Sequence, residues 1–212
     1  MSITEQIYES MKQGIANGTY QPSENLPEQE LSNVYGVSRN TIKKVLLMLE
    51  RENLVVIEPN KGAKVRSYSM DEVLEFLELR ANLEGFITRL AVNRFTPDDI
   101  KNLEETLRVM KVHYSNNELI EYSKNNQIFH NAIYSACPNK LAVELTKNLK
   151  SQMSKYNTKT ILIPGRDSQS YSEHSAILDA IKNKDSDLAD ALMVMHIMNV
   201  RKTFKENYKF LF

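Results

Sequence analysis

The chain has 212 residues, 42% of them hydrophobic and 25% charged, with 27 basic residues against 27 acidic ones. Those proportions exclude a disordered chain, and the even balance argues against a protein that coats nucleic acid regardless of sequence. Apolar runs far shorter than a bilayer exclude a helical membrane span.

At helical spacing, Ile3, Ile7, Met11 and Ile15 predict an amphipathic opening helix. The stretch "NGTYQPSENLPEQ" breaks it with Gly and Pro. A short helix follows near Glu28–Tyr35, with Gly36 suited to its left-handed C-terminal position. Ser38 suits the N-cap of the next helix, whose Ile42, Val45, Leu46 and Leu49 form one apolar stripe. Residues 54–57 and 63–66 read as two strands around "EPNKG". Three helices and a hairpin make a winged helix-turn-helix over residues 1–67.

Beyond Ser69, a helix cap, long helical patterns take over. One runs through "DEVLEFLELRANLEGFITRLAV". The next opens with Thr96 as N-cap, Pro97 at the first helical position and Asp99 three residues after the cap. Others are predicted over 119–136, 140–156, 172–182 and 187–207, with "ILIPGRDSQS" as the clearest interruption. The expected fold is therefore mainly α: an N-terminal winged helix-turn-helix followed by an all-α helical bundle over 68–212.

Charge is distributed unevenly along this plan. Residues 1–38 carry one Lys against five Glu, whereas residues 39–66 carry seven Lys and Arg against three Glu. Such a local basic segment is the footprint expected where a face meets phosphate. Because the apolar stripe faces its own domain, Arg39, Asn40, Thr41, Lys43 and Lys44 lie away from it or at its edge. In helix-turn-helix proteins that end of the second helix enters the major groove. There Arg forks to guanine, Asn pairs with adenine, and Thr and Lys serve phosphate or base. At the hairpin tip, Asn60, Lys61 and Gly62 allow close approach to a sugar–phosphate chain.

The stretch "GTYQPSENLPEQELSNVYGVSRNTIKKVLLMLERENLV" and the wing "PNKGAKV" resemble the GntR family of transcription regulators, of the FadR type with a helical (FCD) C-terminal domain, over the whole length. Family members usually carry Pro-Gly at Pro22-Ser23 and Arg at Lys43, where lysine exchanges a bidentate fork for a point charge. By position, the resemblance implies DNA contacts at Arg39, Thr41, Lys43 and the wing around Gly62.

Three of the four histidines, His130, His174 and His196, fall on separate predicted helices, His174 near the start of its own. They could converge only inside a bundle, where helical proteins build metal sites, and imidazole suits Zn²⁺ or Ni²⁺. From spacing alone, satisfied core histidines account for them better than a metal site does. The resemblance implies more: an Asp, three residues, then His, with two later His, hold a divalent metal in FadR-type domains. Here Asn126 stands at the Asp position, and the three histidines match. A neutral carbonyl oxygen there leaves the full +2 charge of an ion to attract an anion.

Arg80 matches a family position reaching the same pocket, where it would clamp a carboxylate effector; a surface pair with Glu84 at i+4 is the alternative. His113 matches no motif position and reads as structural. Together these features predict a cytoplasmic, homodimeric, ligand-responsive regulator, a repressor in the commoner arrangement, bound to a palindromic operator and sensing a small carboxylate. A metal-free sensor is the nearest alternative. A metal-dependent enzyme is a remote one, since no His-Glu-x-x-His run is present. No cationic, apolar leader opens the sequence. The single Cys137 excludes an intramolecular disulfide, fits a reducing compartment and reads as a small buried hydrophobe.

Overall fold

The computed structural model describes residues 1–153 and 160–211. They form two compact units, one of Met1–Ser69 with residues 150–153 and one of the remaining described residues from Met70 onward.

In the first unit, α1 (Ile3–Asn17) is capped by Ser2 through a reciprocal bond with Glu5 and ends at Gly18 in the left-handed region. Its Ile7, Tyr8, Met11 and Ile15 are buried, whereas Ile3 of the expected stripe is 55% exposed. Helix α2 (Glu28–Tyr35) ends at Gly36, with φ 64° as anticipated. Helix α3 (Arg39–Arg51) starts from Ser38, whose Oγ accepts from the Thr41 amide at 3.2 Å. The α3 stripe Ile42, Val45, Leu46 and Leu49 is buried in one core with residues of α1 and α2. Each such side chain contributes roughly 1.5–3 kcal/mol on leaving water.

Strands β2 (Val55–Glu58) and β3 (Gly62–Val65) form the expected antiparallel hairpin, each within one residue of the predicted bounds. A third strand, β1 (Asn25–Leu26), was not anticipated. Asn25 pairs with Lys64 and Leu26 with Ala63, giving the order β1-β3-β2. Two residues beside Pro27 carry no readable alternation, so only the pairing reveals them.

The second unit is helical among its described residues. It holds α4 (Met70–Ala91), α5 (Pro97–Ser115), α6 (Leu119–Ala136), α7 (Lys140–Gln152, whose last residues belong to the first unit), α8 (Arg166–Lys182), α9 (Ser186–Glu206) and the short α10 (Tyr208–Leu211). Thr96 and Asp99 make the predicted reciprocal cap of α5. The helix predicted over 140–156 is observed to Gln152, and 154–159 lie outside the described residues.

Two expectations need correction. Helix α8 begins at Arg166, not near 172, so much of the supposed interruption is helical. Among the described residues before α8, Thr160–Leu162 form a 3-10 turn and Gly165, at φ 81°, precedes the first turn of α8. His174 therefore sits in mid-helix rather than at a helix start. Ser and Asp favour caps and turns locally, and burial of the α8 face overrides that preference here.

Helix α4 lies along α9, and α8 packs against α5 and α9. Gly85 explains the closeness of the first pair: a Cβ there would lie 2.3 Å from Asp190 Oδ1 and 2.6 Å from Val194 Cγ2. That approach brings the buried Glu84 of α4 and His196 of α9 into one interior layer. Cys137 is fully buried, as a small hydrophobe would be.

Candidate functional site

In the first unit, the basic start of α3 is presented to solvent. Arg39, Asn40, Lys43 and Lys44 are exposed and Thr41 is half-buried, its hydroxyl 3.0 Å from Ser38 Oγ. At the wing tip, Asn60 at φ 63° and Gly62 at φ 86° both take left-handed conformations, and Lys61 donates its amide to the Glu58 carbonyl. Arg39, Lys61 and Gly62 line one groove together with Asn25, Glu28 and Gln29. Helix and wing thus converge, while Asn40, Thr41, Lys43 and Lys44 lie outside the groove lining. Two of the basic groups have acidic neighbours: Arg39 Nη2 is 3.3 Å from Glu28 Oε2, and Lys61 Nζ is 3.6 Å from Glu58 Oε2.

The second unit brings three of its predicted metal residues together. Helix α6 supplies His130, α8 supplies His174 and α9 supplies His196, all buried, with one ligand nitrogen of each within 4.8 Å of the others. Every Nδ1 is held from outside this cluster. Glu84 Oε2 lies 2.6 Å from His130 Nδ1, Glu173 Oε2 lies 2.6 Å from His196 Nδ1, and the Ser170 carbonyl lies 2.6 Å from His174 Nδ1. Each partner is an acceptor, so each Nδ1 carries the proton and each Nε2 keeps its lone pair. Two of those lone-pair atoms, on His130 and His174, lie 3.3 Å apart.

Neutral Nε2 atoms crowded in this way repel unless a cation or proton lies among them. With Zn–N bonds of about 2.0–2.1 Å, two donors on one ion sit roughly 3.0–3.4 Å apart. Carboxylate or carbonyl groups behind metal-binding imidazoles are also the usual arrangement. Burial pushes His174 well below the ordinary imidazole range, as do the neighbouring His196 and His130. Burial does the same to His196, with His130 and Arg166 adding to it. Both effects favour the neutral form that a metal requires.

Asn126 lies one turn before His130 on α6. Its Oδ1 is buried and has no hydrogen-bond partner, as a spare oxygen donor beside an ion would be. The donor set therefore fits a divalent metal: three imidazoles, with one amide oxygen in reserve.

Arg80 is not the surface residue of the alternative reading. It pairs with Glu84 as that reading held, but both side chains are buried. Burial acts to lower the Arg80 pKa, yet the charge of Glu84 and the nearby Tyr134 raise it, so it stays a cation. Arg80, Glu84 and His130 thus form a chain leading to the cluster. A second chain was missed in the sequence. Arg166 Nη2 donates to Glu173 Oε2 at 2.8 Å, and Asn199 Nδ2 donates to Glu173 Oε1 at 2.7 Å. Glu173 directly precedes His174 in "SEHS", a signal that could have found it; nothing local marked Arg166. His113, at the end of α5, contacts Glu118 at 2.6 Å and takes no part.

Known proteins agree with this architecture. Residues 3–65 match the family described as "Bacterial regulatory proteins, gntR family", and residues 75–199 match the "FCD domain". The chain belongs to the GntR family of transcription regulators and carries an FCD domain. The Uxu operon regulator of Haemophilus influenzae is 30% identical over 212 residues, covering 92% of this chain and 79% of that protein. The galactonate operon transcriptional repressor of Escherichia coli K12 is 25% identical, covering 96% and 97%. Among solved structures, E. coli McbR/YncC superposes with a TM-score of 0.78 at 22% identity, covering 97% of this chain and 99% of that one. As a GntR-family member the protein is a DNA-binding transcription regulator rather than an enzyme, and no described helix is long and apolar enough to cross a membrane.

Proposed function

We propose that this GntR-family regulator is a cytoplasmic repressor. It would bind a palindromic operator as a homodimer and leave it when a small carboxylate enters the FCD domain. The observation that carries this reading is the histidine cluster, with all three Nδ1 atoms engaged from behind and one ligand nitrogen of each ring within 4.8 Å of the others. His130, His174 and His196 would hold a divalent ion, Zn²⁺ or Ni²⁺, with Asn126 Oδ1 as a neutral oxygen donor. When bound, the ion supplies a fixed positive charge to which a carboxylate oxygen can attach.

The chain's own residues do the rest. Glu84 and Glu173 fix the tautomer and direction of two imidazoles, and Arg80 neutralises Glu84 so that its charge does not offset that of the ion. Repression accords with the galactonate operon transcriptional repressor among the relatives. At the DNA end, Arg39, Asn40, Thr41, Lys43 and Lys44 would read the major groove while Lys61 and Gly62 approach the flanking backbone. Two such helices, about one helical turn apart, would match two half-sites.

The test is selection of genomic DNA fragments by the purified protein at near-physiological salt, since phosphate contacts make affinity salt-dependent. A short palindrome is expected, released by a carboxylate that the products of the neighbouring genes make or consume. Metal analysis of protein purified without chelator is expected to give about one ion per chain. Failure to enrich any sequence, with and without Zn²⁺, would overturn the operator reading.

A further inference from the structure

Helix α4 has two apolar faces. One carries Val73, Leu77, Ala81 and Ile87 into the core of its unit. The other holds Leu79, Leu83, Phe86 and Leu90 at i, i+4, i+7 and i+11, the alternating spacing of a seam between paired helices. Leu79 is 52% exposed, and the other three are half-buried. Helix α9 repeats the device with Leu188, Ala191, Met195 and Met198 at i, i+3, i+7 and i+10. There Leu188, Met195 and Met198 are 47%, 49% and 36% exposed, and Ala191 is exposed as well.

The two helices run antiparallel. Glu78 Oε2 lies 3.6 Å from Arg201 Nη2, and Arg89 Nε lies 3.7 Å from Asp190 Oδ2. Those pairs stand near the ends of the seams, so residues 79–90 and 188–198 lie alongside each other on the outer side of the pair. A single exposed leucine is ordinary, whereas a contiguous apolar face marks an interaction surface. Methionine and aromatic side chains are enriched in such surfaces.

The charges at its ends say what covers this face. On α4, exposed Glu75 and Glu78 stand at one end of the seam and Arg89 at the other. On α9, Asp187 stands at one end and Lys202 and Lys205 at the other. Because the helices are antiparallel, a two-fold axis lying in the face brings opposite charges together whichever way it runs. An axis across the helices sets Glu75 and Glu78 toward the partner's Arg89, and Asp187 toward the partner's Lys202. An axis along them sets Glu75 and Glu78 toward the partner's Lys202, and Arg89 toward the partner's Asp187. Such self-complementarity is what an isologous contact requires.

We propose that the outer face of α4 and α9 is the surface through which two copies of this chain associate. This rests on the homodimer reading above and adds the face responsible. The same two helices carry Glu84 and His196 on their buried sides, so the histidine cluster and the contact between copies share their scaffold.

The test is sedimentation velocity of the 212-residue chain over a range of concentrations, where the wild type is expected to dimerise. Leu79→Glu and Met195→Glu each place a charge in the face twice per dimer, and should raise the dimer dissociation constant at least about thirtyfold. Met195→Leu keeps the apolar contact and should remain dimeric. Leu141→Glu, at a 67% exposed position on α7, should also remain dimeric. All three positions are exposed, so the helical circular dichroism should not change.

Dimers that survive both Leu79→Glu and Met195→Glu, or that Leu141→Glu breaks equally well, overturn this inference alone. A wild type that stays monomeric at every concentration fells the homodimer reading and takes this inference with it.

Discussion

The Glu84 carboxylate lies 2.6 Å from Nδ1 of His130, a residue 46 positions away. An ionised carboxylate can only accept, so this contact sets a proton on Nδ1 of His130 and turns Nε2 toward the cluster. Replacing Glu84 by Gln removes the charge and offers the imidazole an amide that can also donate. Metal affinity is expected to fall by about 10–100-fold, read by competition with a chromogenic chelator. Equal affinity in the variant would remove Glu84 from the site.

Asn126 tests the charge of the site from the other side. Asn126→Asp adds an anionic oxygen next to the histidines, so Zn²⁺ should be held more tightly. The carboxylate effector should be held more weakly, because the net positive charge left to attract it is smaller. Parallel chelator and acid titrations check both directions. A variant that leaves both affinities unchanged would place Asn126 outside the coordination sphere.

For the DNA surface, Arg39→Ala is expected to abolish operator binding without changing the helical circular dichroism, since Arg39 is exposed and contributes nothing to the core. Lys61→Ala should instead weaken binding evenly across sequences and reduce the salt slope by about one unit. Fluorescence anisotropy at several salt concentrations separates the two behaviours.

Packing gives a prediction independent of ligands. Gly85→Val would drive methyl groups into Asp190 and Val194, where even a lone Cβ is too close. Overpacking of this kind costs about 1–3 kcal/mol. Thermal unfolding of the variant should shift down accordingly, and an unshifted transition would mean that α4 and α9 separate at little cost.

The first unit has its own pH dependence. Glu52 is bonded by Lys12 Nζ at 2.6 Å and by the Tyr8 hydroxyl. Burial alone would raise its pKa, but those two bonds and the Lys12 charge outweigh it and lower it below the ordinary value of 4.5. A carboxylate depressed in the folded state stabilises above its unfolded pKa, and that contribution disappears as pH falls through the folded value. The wild type should therefore lose stability as pH falls below about 4.5, and Glu52→Gln should flatten that slope. Denaturant midpoints measured at a series of acidic pH values check the difference.

Much of this was legible in the residues. Caps and stripes carry their own signal, and Ser38, Gly36, Thr96 and the Ile42–Leu49 stripe all behave as local chemistry dictates. The histidines were legible as candidates, because three imidazoles are rare enough to notice. What stayed hidden depends on pairing across distance. Strand β1 exists only through β3, and Glu84 and Arg166 look like ordinary helix charges until α6, α8 and α9 surround them. The start of α8 was obscured because Gly165, Asp167, Ser168 and Ser170 favour caps and turns, while the burial of Arg166 and Ser170 could not be read locally.

The acidic neighbours of the DNA surface carry a last consequence. Arg39 stands beside Glu28 and Lys61 beside Glu58. To engage a phosphate or a base, each cation must exchange a carboxylate for the new partner. If Arg39 and Lys61 do meet DNA as proposed, the exchange would bring little on arbitrary sequence and residence there would be brief, and only base edges that reward Arg39 would complete the swap. Removing the carboxylates, as in Glu28→Gln with Glu58→Gln, would make a stickier protein and a slower searcher.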